Sequence, residues 1–463
     1  MPPRPAQADS QPRKRRHRCR PDGTVLIVTM WLVLVLAGMV LVLARAMRVE
    51  AGASANVLAA QQAAAIEHGA IQYVLAHVAG LEGRMPSEQD MPSQAVQVGG
   101  GAFWILRPDP DDDRRSRYGV VDEASKINVN TATLEALMTL PEMTDDLAAG
   151  VIDWRDGDSD PTPEGAEAEY YLLLPTPYEC KNAPLETVEE LLLVNGWSPE
   201  ILLGEDANRN GVLDDNENDR DEADPPDDGN GELDRGLVEF VTVYSAEFNL
   251  SASGERRVNI NQANTQQVAD VLAKGISDDR LAVVVVLARR GRPFANVLDF
   301  YFRVGLTAKE FAPIVDLITT SNDRNLVGLI NVNTASREAL AGLPELEEAD
   351  VDALIAGRPE DPTEASTIAW VVDALAEDKA LAIGSFITGR SFQFSANIVS
   401  VSGDGRAMRR CRIVVDARMD PPRVIYRQDL TSLGWPLSLE IIDDLRSGTP
   451  MQEVIERLPR ETW

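Results

Sequence analysis

Residues Thr24–Ala44 read TVLIVTMWLVLVLAGMVLVLA, a run of 21 residues with no charge and no proline. As a helix it would be roughly 30 Å long, the thickness of a bilayer's hydrocarbon. Residues 1–23 carry seven basic side chains (Arg4, Arg13, Lys14, Arg15, Arg16, Arg18, Arg20) against Asp9 and Asp22, a net of +5. That bias predicts a cytoplasmic N-terminus with the rest across the membrane. A secretory signal peptide fits poorly, because the run is long and lacks a small-x-small cleavage site at its end. Beyond the run come Arg45, Arg48 and Glu50, then an Ala- and Gln-rich stretch to about Val78. Val57, Leu58, Ala64, Ala65, Ile71 and Leu75 keep helical spacing there, which predicts one long helix, half in lipid and half in water.

The chain has 463 residues, 44% apolar, with a formal charge of −30, so about −35 falls beyond residue 23. Such a surface repels nucleic acid and anionic headgroups and favours divalent cations. Three cysteines exclude a disulfide-rich scaffold, although Cys180 and Cys411 are left open as a pair. No H-E-x-x-H, G-x-S-x-G or G-x-x-x-x-G-K occurs, and of the three histidines His17 lies before the apolar run while His68 and His77 lie on the long helix. The sequence offers no catalytic constellation, and the expected class is non-enzymatic.

Strand composition marks Phe103–Arg107 and Tyr118–Val121, and much later Ser391–Val401 with Arg410–Ala417 around the turn Gly403-Asp404-Gly405. A sheet assembled from such distant segments implies a large insertion between them. Within it a motif recurs: INVNTATLEAL from Ile127, VNINQANTQQV from Val258 and INVNTASREAL from Ile330. Each passes from an extended piece to a helical pattern, with Asn130 or Thr131, and Asn333 or Thr334, as N-cap candidates.

Residues 206–217, DANRNGVLDDNE, fit the twelve-residue calcium-loop template. Asp206, Asn208 and Asn210 take positions 1, 3 and 5, Gly211 the turn, Val212 the carbonyl position, Asp214 position 9 and Glu217 the bidentate position 12. A second copy keeps less of the template, with Asp228, Asn230 and Asp234 at positions 3, 5 and 9 but Pro226 and Leu237 at 1 and 12. A solvated acidic linker is the alternative for both.

The basic leader, Gly23, the apolar helix and its amphipathic extension resemble a type IV prepilin. The resemblance implies a prepilin peptidase cutting between Gly23 and Thr24, methylating the new N-terminus and removing Cys19 with the leader. Most prepilins have Glu at the fifth mature position, whereas this chain has Val28. That absence, with DEASKINVNTA from Asp122, VIDWRDGDSDPTPEGAEAEYYLLLPTPYECKNAPLETVEELLLVNG from Val151 and VEFVTVYSAEFNLSASGERRVNIN from Val238, resembles the minor pseudopilin K (general secretion pathway protein K) family of the type II secretion system. The resemblance spans about Gly23 to Ala417. It implies a tip position on a short periplasmic pseudopilus, partners of the minor pseudopilin I and J types, an inner-membrane location with a periplasmic domain, and two Ca2+ ions within residues 206–234.

The repeats resemble helix-hairpin-helix or SAM-like modules of DNA uptake and repair proteins. Their turns, Leu140–Asp146 and Leu343–Glu348, carry carboxylates where phosphate-binding turns carry glycines, so no nucleic acid is expected. The expected fold is α+β. Residues 1–23 form the leader and 24–80 the pilin helix; 81–125 and 386–420 form a pilin-like domain, 126–385 a helical insertion with the calcium loop, and 421–463 a C-terminal tail with a short helix near Leu437–Leu445. The rival classes are a membrane-anchored DNA-binding or uptake protein and a plain membrane-tethered calcium-binding domain.

Overall fold

A computed structural model describes residues 22–109, 112–220, 222, 225–361 and 364–458. The basic leader, with His17 and Cys19, lies outside them, except for Asp22 and Gly23. The chain forms two compact units, residues 1–58 and 59–463.

The first unit holds the start of helix α1 (Asp22–Val78). Its apolar side chains, Val25 through Val49, are all exposed. A helix apolar all round satisfies its backbone internally and is what lipid rewards. It is long and apolar enough to cross a membrane, with a mean hydropathy of 2.9 over its most apolar window.

The second unit is α+β. Strands β1 (Val96–Val98), β2 (Gly101–Pro108), β3 (Ser116–Tyr118) and β4 (Val121–Asp122) open its sheet. The insertion then supplies three units, each closed by a two-residue parallel strand pair. The first runs from β5 (Ile127–Asn128) through α2 (Leu134–Leu137), α3 (Asp145–Arg155), α4 (Ala168–Leu172) and α5 (Pro199–Leu203) to β6 (Val241–Thr242). After β7 (Ala246–Phe248), the second runs from β8 (Val258–Asn259) through α6 (Thr265–Leu272), α7 (Asp278–Ala288), α8 (Val297–Val304) and α9 (Ala308–Val315) to β9 (Ile318–Thr319). After β10 (Asn325–Val327), which pairs with β7, the third runs from β11 (Ile330–Asn331) through α10 (Arg337–Ala341), α11 (Glu348–Ala356), α12 (Val371–Ala374) and α13 (Glu377–Ile383) to β12 (Ile387–Thr388). The chain then returns to the sheet as β13 (Gln393–Val401), β14 (Met408–Asp416) and β15 (Arg423–Asp429), and ends in α14 (Leu439–Ser447) and α15 (Met451–Arg457).

Sheet order is β1-β2-β13-β14-β15, with Ile105 opposite Ile398 and Trp104 opposite Val399. Alternation sorts the two faces. Phe103, Ile105, Ile398 and Ile413 pack on Ile66, Ala70 and Val74 of α1. Trp104, Leu106, Val399 and Val401 pack on Ile441 and Leu445 of α14 and on Met451 and Val454 of α15. Each such side chain contributes about 1.5–3 kcal/mol on burial. Residues 421–458 thus include an edge strand and a helical cover for one sheet face.

One device recurs in all three units. Asn128, Asn259 and Asn331 accept from the amide two residues on, at 2.9, 2.9 and 3.1 Å. An arginine at or just beyond the end of the second helix (Arg155, Arg289, Arg358) donates to two carbonyls of the motif, those of Val129 and Ala132, Ile260 and Ala263, and Val332 and Ala335. The helices therefore begin later than the motif suggested. The N-caps are Thr133 and Ser336, because Asn130 is occupied with the backbone of Leu185 and Asn333 with Gly389 and Trp370. Glu142 and Glu345 adopt left-handed backbone, φ 53° and 61°, so the two turns hold a shape that favours glycine while presenting exposed carboxylates. Cys180 and Cys411 are both free thiols.

Candidate cation sites

Ser198 caps α5 through the amide of Ile201, and Gly204 ends it. The chain then enters the loop at Asp206, whose carboxylate accepts the amides of Asn210 and Gly211, both at 2.9 Å. Asn208 Oδ1 accepts the Asn210 amide at 2.9 Å, and Asn210 Oδ1 the Val212 amide at 2.7 Å. Asp214 Oδ2 accepts from the side-chain amides of Asn208 (2.6 Å) and Asn210 (2.9 Å). Gly211 makes the turn at φ +72°, with Pro108 behind it. Asp206, Asn208, Asn210, Val212, Asp214 and Glu217 are thus drawn into one closed loop.

Glu217 is only 1% exposed; its Oε2 accepts the Asp214 amide at 3.1 Å, while Oε1 is buried without a partner. Burial pushes Glu217 up to about 7 and Asp206 up to about 6, with Asp206 and Asp214 adding to the rise at Glu217. Buried carboxylates with an orphaned oxygen are what a hard cation relieves. These residues fit calcium.

The second loop differs. Asp228, Asn230 and Asp234 are exposed, and their oxygens serve nearby backbone: Asp228 the Asn230 amide (2.9 Å), Asn230 the Glu232 amide (2.6 Å) and Asp234 the Gly236 amide (2.8 Å). Glu205, which sequence reasoning missed, joins their ends by accepting the amides of Asp228 (3.2 Å) and Asp234 (3.3 Å). Its carboxyl is raised by burial, against the lowering effect of those two amides, with the charges of Asp228 and Asp234 adding to the rise. Asp227 closes the approach by accepting the amides of Asp219, Arg220 and Gly229.

A further cluster also went unread in the sequence. Asp156, Asp158 and Glu167 bring carboxylate oxygens within 4.8 Å of one another. Glu167 is 5% exposed and both its oxygens are buried without a partner. Burial raises it, with Asp153, Asp156 and Asp158 adding to the rise. Asp153 is fully buried and accepts the Thr162 amide at 3.0 Å. A Cβ on Gly165 would lie 2.0 Å from its Oδ2, so the loop requires glycine there. The signal was present as spacing: Asp156, Asp158, Asp160 and Glu167 stand at template positions 1, 3, 5 and 12. Pro161 in place of the turn glycine concealed it.

The class these features define is an α+β protein whose sheet packs on the continuation of an N-terminal helix long and apolar enough to cross a membrane, and is interrupted by a helical insertion. Residues 118–203, from β3 through α5 and including the Asp156 cluster, match the family model described as Type II secretion system (T2SS), protein K. No curated protein matches the chain. A solved structure, the GspK-GspI-GspJ complex from the enterotoxigenic Escherichia coli type 2 secretion system, contains a similar chain at 12% identity and a TM-score of 0.34. That alignment covers 83% of this chain and 98% of the other. The family resemblance read from the sequence is therefore matched by the protein K model over residues 118–203.

Proposed function

We propose that this protein is a non-enzymatic minor pseudopilin of the K type, which caps the tip of the type II secretion pseudopilus and helps start its assembly for protein export. The observation that carries the reading is the interrupted sheet: β2 pairs with β13 across an insertion whose first part is the protein K segment. Val28 supports the tip position. A carboxylate in lipid needs a partner above it, and a terminal subunit has none. Its partners are minor pseudopilins of the I and J types, packed through their N-terminal helices. The prepilin peptidase cuts between Gly23 and Thr24, leaving the chain in the inner membrane with its large unit in the periplasm. Calcium binds the loop 206–217 and the Asp156–Glu167 cluster, where orphaned buried carboxylates ask for it, in preference to the self-satisfied 228–234 segment.

Mass spectrometry of the N-terminus, with and without the peptidase, tests the class. Cleavage that depends on the peptidase and leaves a methylated Thr24 is expected. An intact leader, or a cut far beyond Ala44, would overturn the pseudopilin reading in favour of a tethered calcium-binding domain.

A further inference from the structure

The loop 206–217 bonds both to the inserted helical unit and to the sheet. Arg410 on β14 is wholly buried. Its Nη1 donates to the Asn208 carbonyl at 2.6 Å, its Nη2 to the Arg209 carbonyl, and its Nε to Asn397 Oδ1 on β13 at 3.1 Å. Asn397 Nδ2 in turn donates to the Arg209 carbonyl at 3.3 Å. Arg209 reaches Gln428 on β15 at 3.1 Å and Glu189 of the first helical unit at 3.5 Å. On the other side, Ser116 on β3 donates to the Asn210 carbonyl (3.3 Å), and the Leu213 amide to the Asp113 carbonyl (2.7 Å).

Two sets of bonds therefore act on the same three peptides. The amides of Arg209, Asn210 and Gly211 point inward, to the Asp206 carbonyl, to the side chains of Asp206 and Asn208, and to the Asp206 carboxylate. The carbonyls of Asn208, Arg209 and Asn210 point outward, to the sheet. Anything that holds Asp206, Asn208 and Asn210 around a common centre also fixes the direction of those carbonyls. A buried guanidinium is costly unless its acceptors stay in place, and here they are mostly main-chain oxygens of the loop. Without an ion, Asp206, Asp214 and Glu217 repel one another and the acceptors lose their alignment.

We propose that Arg410 is a positioning residue that makes the loop a cation-controlled latch. Calcium in 206–217 locks the inserted domain onto β13–β15, and its removal opens that seam. The proposal rests on the reading of the loop as a calcium site and adds what the ion does to the rest of the fold.

Hydrogen exchange of the full chain in lipid nanodiscs, in saturating calcium and in chelator, tests it. At calcium 100-fold above Kd, amides whose opening requires release of the ion exchange about 100-fold more slowly. That protection is expected in the loop and equally at the Arg410 and Leu430 amides joining β14 to the segment after β15, while β1–β2 is unchanged. Calcium that protects the loop alone overturns the latch and leaves the calcium reading intact. Absence of calcium-dependent protection anywhere in 206–217 overturns both. Arg410→Gln is expected to bind calcium about tenfold more weakly and to lose calcium-dependent protection of the seam. Unchanged affinity with the seam still protected would remove Arg410 from the latch. Asn397→Ala carries the same expectation in a milder form if Arg410→Gln fails to accumulate.

Discussion

The segments 206–217 and 228–234 are both acidic, with a net charge of −3 each, yet the structure treats them differently. In the first, Asp206 and Glu217 are buried and Glu217 keeps an oxygen without a partner. In the second, Asp228, Asn230 and Asp234 are exposed and spend their oxygens on adjacent amides. Acidic composition marks where a cation is tolerated. Burial with an unmet acceptor marks where one is needed.

The sharpest attempt to break this contrast is Glu217→Gln, which should weaken calcium binding at the first loop at least about 100-fold in titration calorimetry of the full chain. A change under threefold would show that the orphaned oxygen is no ligand. Next is Glu167→Gln, expected to remove one calcium equivalent and, in chelator, to raise the thermal midpoint by about one degree, about 1 kcal/mol, as one of several like charges is removed. A lowered midpoint in chelator would show that this carboxylate stabilises the metal-free fold. Asp122 tests the opposite case, a buried carboxylate with donors. It accepts from Asn331 (3.0 Å), Thr334 (2.5 Å) and the Ala124 amide (2.7 Å). Burial still raises its pKa, so the unfolded chain ionises first and this group's contribution to stability falls as pH rises above the ordinary carboxylate value. Asp122→Asn should flatten that part of the pH–stability curve, and an unaltered slope would place it elsewhere. The smallest effect is expected for Asp228→Asn with Asp234→Asn, less than about threefold in calcium affinity. A loss as large as that of Glu217→Gln would erase the distinction between the loops.

Periodicity carried the long helix, the β13–β14 hairpin and the repeated motif, because each rests on local spacing. The closed shape of loop 206–217 follows from the same kind of spacing: its oxygen-bearing side chains and its turn glycine are contiguous. Glu205 was not, since its role is to meet Asp228 and Asp234 across a closed loop, and no local pattern encodes that. Glu167 shares the template spacing but stands beyond Pro161, and only folding shows that both its oxygens end up buried. The strand β15 alternates exposed and half-buried residues, a weak signal beside Pro421 and Pro422. The N-caps moved to Thr133 and Ser336 because Asn130 and Asn333 are claimed by distant backbone.

The interrupted sheet also sets a schedule. Ile105 meets Ile398 only after about 290 further residues have been made. At ordinary rates of synthesis that is about 15–60 s during which Phe103, Trp104, Ile105 and Leu106 have a helix on one side and no neighbouring strand from β13. Such an edge is a template for other chains, and the nascent chain is most exposed to wrong pairing before β13 arrives.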